Sequence, residues 1–382
     1  MIYLDNSATT FPKPQSVREA AAAALRYSAN PGRSGHSLSL RASETVFGAR
    51  KAAVSLFNAR SESDVVFTAN CTAAINTVLK GTLKSGDHIV VSSLEHNAVM
   101  RPLEGLKKHG VTWSEARVCP YDNDRTVDAF RRCIGSKTRM IFCTHASNVW
   151  GVKLPVERLS ALAHEYGLLF GVDAAQSAGT VPVDVQDIGV DYLCAAGHKG
   201  LYGPMGTGIL VINCETVPEP LIEGGTGSYS ISLEQPAELP DRLESGTPNL
   251  SGIAGLHAGI EFVMRKRPEA ISAHEFMLIK RLYRGLSSIG GIKLYLPEPD
   301  PVYTVPILSF NFEDTDSEAA AAALNRHGIA VRAGLHCSPL AHRMAGTLET
   351  GAVRISPSVF TTVGDIDRTL SVIRSLARSA HG

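Results

Sequence analysis

From about residue 40 to residue 213, short apolar runs alternate with amphipathic segments of helical period. This alternation limits the possible folds more than any other feature of the chain. "DVVFTAN", "DHIVVSS", "RMIFCTHAS", "LLFGVDAA", "YLCAAG" and "GILVI" are rich in Val, Ile and Leu, and read as strands buried on both faces. Between them, "TAAINTVLKGTL", "NAVMRPLEGLKKHG" and "PVERLSALAHEYG" bring apolar residues round at helical spacing. The pattern predicts an α/β fold with a mostly parallel sheet covered by helices on both faces. In such sheets ligands bind beyond the carboxyl ends of the strands. The polar stretches "SSLEHN", "THASN", "VDAAQ" and "GHK" all fall there.

The flanks read differently. "SVREAAAAALRYS" is a helix with Ser16 and Glu19 spaced as a capping box. After residue 250, two long helices precede the strands "PILSFNF" and "AVRISP", which flank a helix "SEAAAAALNRHG". A last helix, "VGDIDRTLSVIRSLA", follows, so the C-terminal part reads as a smaller α+β unit. With 382 residues the chain exceeds one small core.

Composition excludes several function classes. Lys plus Arg (37) equals Asp plus Glu (37), and no basic run is interleaved with aromatics, so neither nucleic acid nor an anionic membrane is an expected partner. The N-terminus "MIYLDNSATT" lacks a basic segment followed by an apolar one, and no apolar run is long enough to span a bilayer. The seven cysteines are scattered and never form CxxC, which argues against a disulfide framework or a zinc site and suits a reducing cytoplasm.

The chemistry-bearing residues sit at strand ends. Asp173 closes "FGVD", Gln176 follows it, and a second strand runs into His198-Lys199. Taken alone, Asp173 reads equally well as a helix cap and Lys199 as a solvated loop residue. Together, an Asp able to pair with a pyridinium nitrogen and a Lys able to form a Schiff base are the protein's side of a pyridoxal 5'-phosphate (PLP) site. Such a lysine must be desolvated to be nucleophilic at neutral pH. Thr72 opens the helix after "FTAN", where free N–H groups can cradle a phosphate, or where the threonine is a plain cap. His96 and Asn148 occupy two further strand ends, His96 suited to stack on a flat ring and Asn148 to hold a ring hydroxyl or a carboxylate. Cys337 lies in the loop "AGLHCSPLAH", with Arg332, His336 and His342 near it in sequence; cationic neighbours favour the nucleophilic thiolate.

With these stretches assembled, the chain resembles the class V, fold-type I PLP enzymes, most of all the cysteine desulfurases and the related selenocysteine lyases. The resemblance rests on "YLDNSATT", "EHNAV", "HASNVWG", "VDAAQSAG", "GHKGLYGPMGTG", "LESGTPN", "RAGLHCSPLAH" and "VRISPSVFTTVGDID", in the family's order. It implies a large PLP-binding domain over residues 14–255 with a seven-stranded sheet. It also implies a small domain of residues 1–13 and 256–382 that carries the cysteine loop. Lys199 would bond the cofactor and move protons; Asp173 would pair with the ring nitrogen, Gln176 with the ring oxygen, and His96 would stack on the ring. Thr72 and His198 would hold the phosphate, and Thr247 would reach the phosphate of a neighbouring subunit, making a homodimer. Asn148 and Arg354 would hold the substrate carboxylate, an Arg fork being suited to that task. Cys337 would accept sulfur from L-cysteine, leaving L-alanine, and pass it to an acceptor protein, for iron–sulfur cluster assembly or another thiolation route. The same resemblance admits L-selenocysteine as substrate, or another class V reaction such as transamination or sulfinate desulfination. A non-enzymatic sulfur carrier on a degenerate PLP fold is a further reading, disfavoured by the intact Lys199, Asp173 and His96.

Three positions depart from the family's pattern. Ala196 stands where Ser or Thr is frequent, Cys71 where Thr is usual, and Gly200 reads as an insertion after the His-Lys pair.

Overall fold

The computed structural model describes residues 1–27, 29–32 and 35–380. The chain starts with a short strand β1 (Ile2–Tyr3), then helices α1 (Gln15–Tyr27) and α2 (Ser37–Phe57). The alternating part follows as β2 (Val65–Thr68), α3 (Cys71–Thr82), β3 (His88–Ser92), α4 (Asn97–Leu106), β4 (Thr112–Ala116) and α5 (Asn123–Cys133). It continues as β5 (Thr138–Thr144), α6 (Val156–Glu165), β6 (Leu169–Asp173), α7 (Val185–Ile188), β7 (Tyr192–Ala196) and β8 (Gly208–Ile212).

Strands β2 to β8 form one seven-stranded sheet in the order β2-β8-β7-β6-β5-β3-β4. Only β8 runs against its two neighbours; the other pairings are parallel. The strand residues divide by parity. Ile141 and Cys143 join the apolar cluster under α2 and α6, while Met140 and Phe142 join the cluster under α3 and α4. Both faces are therefore apolar, which is why these strands read as continuous hydrophobic runs rather than as alternating ones.

The expected capping box at Ser16 is not formed. Helix α1 starts one residue earlier, at Gln15, because the carbonyl of Pro14 already accepts the N–H groups of Val17 and Arg18. Ser16 thus lies inside the helix, and Glu19 instead accepts from Gln15 Nε2 at 2.6 Å.

The C-terminal part comprises α8 (Leu250–Lys266), α9 (Pro268–Ser287), β9 (Ile292–Leu294), β10 (Leu308–Phe312), α10 (Ser317–Arg326), β11 (Ile329–Ala330), α11 (Pro339–Ala345), β12 (Val353–Ile355) and α12 (Val363–Ala380). Strands β12, β10 and β9 form a small antiparallel sheet. Its cluster, built on Leu278, Leu282, Phe310, Ile355 and Ile373, also takes in Leu4. The N-terminal arm is attached there: β1 pairs with β11, and Asp5 bridges Ser356. Helix α8 packs on α1 and α2 and runs unbroken across position 255.

Candidate active site

The sheet ends its parallel strands on one edge, and the expected residues gather along it. Asp173 is the last residue of β6 and is buried. Its Oδ1 accepts the N–H of Ala175 at 2.9 Å and the thiol of Cys71 at 3.5 Å. The Cys71 thiol is held well above its ordinary pKa, first by burial and then by the Asp173 charge, so it serves as a neutral donor and not as a nucleophile. Cys71 and Ala196 belong to the same buried apolar cluster. Both positions, expected from the resemblance to carry a hydroxyl, here hold soft, apolar groups.

Lys199 lies in the turn after β7. The Tyr202 N–H donates to the Lys199 carbonyl at 2.8 Å, and the Gly203 N–H to that of Gly197 at 2.7 Å. The N-terminal arm braces the same turn: Thr10 Oγ1 donates to the Lys199 carbonyl, and Lys13 Nζ to that of His198 at 2.7 Å. Gly200, the apparent insertion, sits where a Cβ would lie 2.3 Å from the Ala178 carbonyl oxygen, while a Cβ on Gly179 would lie 2.2 Å from the Gly200 carbonyl oxygen. Two glycines in contact let this turn press against the β6 loop. Part of the Lys199 side chain reaches solvent, yet desolvation of its amine pushes the pKa down; Asp173 opposes this, and Arg354 and Arg332 add to it. The amine is thereby moved toward its neutral, nucleophilic form.

His96 caps α4, its Nδ1 accepting the Ala98 N–H at 3.0 Å. Desolvation lowers its pKa to about 4, with Asp173 opposing and Lys199 adding to the fall. At neutral pH the ring is uncharged, and the cap bond leaves its proton on Nε2. His198 is lowered to about 4 by burial and then by Lys199 and Lys13, and its Nδ1 is buried without a partner.

Arg354, in β12, is 2% exposed. Its Nη2 pairs with Asp5 at 2.7 Å, its Nη1 donates to the Asn148 carbonyl at 2.8 Å, and its Nε is buried and unpartnered. The Asn148 amide is not free: Nδ2 donates to the His336 carbonyl at 2.7 Å, and Oδ1 accepts from Ser338 Oγ at 2.6 Å. Cys337 itself is exposed, and its carbonyl accepts the Asn97 N–H, next to His96, at 2.7 Å.

Thr72 stands exposed in the first turn of α3, where the N–H groups of Cys71 and Thr72 have no protein partner among the described residues. Gln176 Nε2 donates to the Ser7 carbonyl at 3.1 Å. Thr247 lies exposed on a loop lining a cavity of about 370 Å³ together with Thr68, Ala73, Gly206 and Asn249; Lys199 and Asp173 are not in that cavity.

Comparison with known proteins matches residues 2–369 to the aminotransferase class-V family. The chain belongs to this family. It is 36% identical over 386 residues to a probable cysteine desulfurase of Methanothermobacter thermautotrophicus, covering 98% of this chain and 94% of that one. It is 34% identical over 392 residues to a cysteine desulfurase of Salmonella agona, covering 99% and 94%. The fold superposes on the apo structure of a cysteine desulfurase from Thermococcus onnurineus with a TM-score of 0.92, at 34% identity and with 99% and 95% of the two chains covered. The expected α/β class and seven-stranded, mostly parallel sheet therefore hold.

Enzymes of this family use PLP, and the residues here fit that group. A desolvated lysine, a buried carboxylate, a neutral imidazole, an orphaned His198 Nδ1 and two free N–H groups at a helix N-terminus are the donor set a phosphorylated pyridine aldehyde requires. Four residues of this neighbourhood escaped the sequence reading: Asp5, Cys71 as an Asp173 donor, Ser338 and Glu95. Glu95 is wholly buried, accepts from Ser92 and the Thr144 N–H, and is pushed up to about 8 by desolvation. A carboxylate written into the strand-end run "SSLEHN" was the available signal for it.

Proposed function

We infer that this chain is a PLP-dependent cysteine desulfurase that converts L-cysteine to L-alanine and leaves the sulfur as a persulfide on Cys337. One observation carries the reading. The only exposed thiol among the described cysteines is on a loop hydrogen-bonded to the first residue of α4, beside the neutral His96, and to Asn148, whose carbonyl also holds Arg354.

PLP supplies the electron sink that makes the substrate Cα–H acidic. The protein supplies the rest. Arg354 and the Asn148 amide hold the substrate carboxylate, the buried Nε of Arg354 being the open donor. Asp173 would hold the proton of the ring nitrogen, Gln176 would contact the ring oxygen, and Thr72 and His198 would take the phosphate. Lys199, moved toward its neutral form, accepts the Cα proton. Cys337 thiolate attacks the substrate sulfur: an S–S bond forms, the C–S bond breaks with its electron pair left on Cβ, Cβ takes up a proton, and Lys199 returns the Cα proton to give alanine.

The exposed Thr247 and the cavity beside it support a homodimer in which this loop reaches the neighbouring subunit's phosphate. The exposure of Cys337 supports handing sulfur to a separate acceptor protein. The attachment of the N-terminal arm to the C-terminal sheet supports the division into residues 14–255 and residues 1–13 plus 256–382. No helix among the described residues is long and apolar enough to cross a membrane, and the unpaired cysteines suit the proposed cytoplasmic location.

The deciding experiment is single-turnover alanine release with L-cysteine and L-selenocysteine, for wild type and Cys337→Ala. Release from cysteine by wild type but not by the variant is the expected result. Turnover by both proteins on selenocysteine alone would replace this reading with a selenocysteine lyase.

A further inference from the structure

The Asn148 side chain holds the cysteine loop, and its backbone holds Arg354. The amide gives one hydrogen bond to the His336 carbonyl at 2.7 Å and takes one from Ser338 Oγ at 2.6 Å. The His336 carbonyl can only accept, so Nδ2 must face it and Oδ1 must face the Ser338 hydroxyl. All three residues are buried, Ser338 completely. The residue between these contacts is Cys337, whose carbonyl takes the Asn97 N–H. His336 and Cys337 have φ of 50° and 58°, a left-handed conformation that costs a non-glycine residue and persists only when its surroundings hold it. Two of the bonds that hold it there belong to one amide.

We propose that Ser338 is a positioning residue that locks the Asn148 amide onto the Cys337 loop, and that amino-acid binding releases this lock. The proposal rests on the reading that Arg354 and Asn148 receive the substrate carboxylate. A carboxylate at Arg354 arrives beside Nδ2 and is a stronger acceptor than the His336 carbonyl. Once Nδ2 turns to it, the strained pair at 336–337 loses the Asn148 part of its support, leaving the His336 ring on the Ala352 carbonyl and the Asn97 N–H on Cys337, and the loop loosens so that Cys337 can move toward the bound sulfur. The loop is thus held while the site is empty and freed when substrate is seated. Part of the substrate's binding energy is spent on opening the lock.

The test uses the PLP-loaded protein with L-alanine, which carries the carboxylate but no sulfur. Binding is followed by the visible absorbance of the cofactor, and loop release by hydrogen exchange at the Asn97 amide, which donates to Cys337. In wild type, saturating L-alanine is expected to speed Asn97 exchange at least fivefold. In Ser338→Ala the exchange should be fast with and without L-alanine. The same variant should bind L-alanine about fivefold more tightly while kcat for alanine formation from L-cysteine falls about tenfold. A merely structural serine would leave affinity unchanged or weaken it, and that result overturns the proposal, as does Asn97 protection in wild type that L-alanine does not reduce. Should Ser338→Ala fail to fold, the wild-type exchange still decides. Arg354→Lys separates the two layers. If it leaves L-alanine affinity unchanged, the carboxylate site is misassigned and the lock falls with it. If it weakens affinity while wild-type Asn97 protection stays constant on binding, the lock alone is wrong.

Discussion

Nη2 of Arg354 lies 2.7 Å from Oδ1 of Asp5, so an arginine on the last strand of the small sheet is neutralised by the fifth residue of the chain. The arginine is buried and Asp5 is partly exposed. Burial pulls the Arg354 pKa down, and Asp5 is the strongest influence restoring it. Arg332, paired with Arg354 through an isolated antiparallel bridge, adds a like charge.

Asp5→Asn keeps a hydrogen-bond acceptor and removes the charge. It should lower stability by about 1–2 kcal/mol, less than the loss of a fully buried pair because Asp5 is partly solvated. L-Alanine should then raise the melting temperature more in the variant than in wild type, since its carboxylate becomes the only anion on Arg354. Thermal melts with and without L-alanine check this; equal shifts would count against it.

The cysteines should separate by accessibility. Cys71, Cys143 and Cys194 are buried with thiol pKa values pushed well up, while Cys337 is exposed. Limiting iodoacetamide should therefore alkylate Cys337 first and abolish desulfuration in proportion to labelling. Peptide mass mapping reads this directly, and full labelling at Cys337 with activity intact would refute its role.

Stability should peak near pH 6.5. Desolvation lowers His96, His198 and His342 to about 4 and His145 and His336 to about 3. Below 6.5 the unfolded chain takes up protons that the native histidines refuse, so stability falls as pH drops from 6.5 toward 4. Glu95 and Glu275 are raised by desolvation to about 8. Their contribution is complete below 4.5 and is lost as pH rises toward 8. Between 4.5 and 6.5 the five histidines outweigh the two glutamates; from 6.5 toward 8 the glutamates dominate, and above about 8 Lys13, lowered to about 8 by burial, acts with the opposite sign. Urea unfolding across pH 4–9 tests the shape, and Glu275→Gln should flatten the alkaline limb.

Gly200→Ala should disturb the lysine turn. Its new Cβ would meet the Ala178 carbonyl oxygen at 2.3 Å, a backbone atom that cannot rotate away. The expected cost is about 1–3 kcal/mol, together with weaker PLP retention because Lys199 is the adjacent residue. Melting temperature and cofactor release rate measure the two effects; a variant that matches wild type in both would show that the turn shifts freely.

The strand ends were legible in the sequence because two-sided burial writes an unbroken apolar run that stops where the sheet stops. Asp173, His198, Lys199 and His96 could be found that way. Strand β4 could not: its "TWSEA" lies at the sheet edge, partly exposed, and lacks the apolar run. Asp5 gave no local signal either, since its partner Arg354 is 349 residues away.

By itself, the sequence determined the fold class and, through the family's motifs, the cofactor chemistry, and it singled out Cys337 as the candidate thiol, because apolar periodicity and motifs are local properties of the chain. Only the tertiary structure decided how these parts are wired. It set Cys71 against Asp173, pinned the N-terminal arm over the Lys199 turn, and gave one asparagine both the cysteine loop and the buried arginine. Those contacts join residues far apart in the chain, and hydrogen bonds of 2.6–3.5 Å exist only once packing has brought both partners into place.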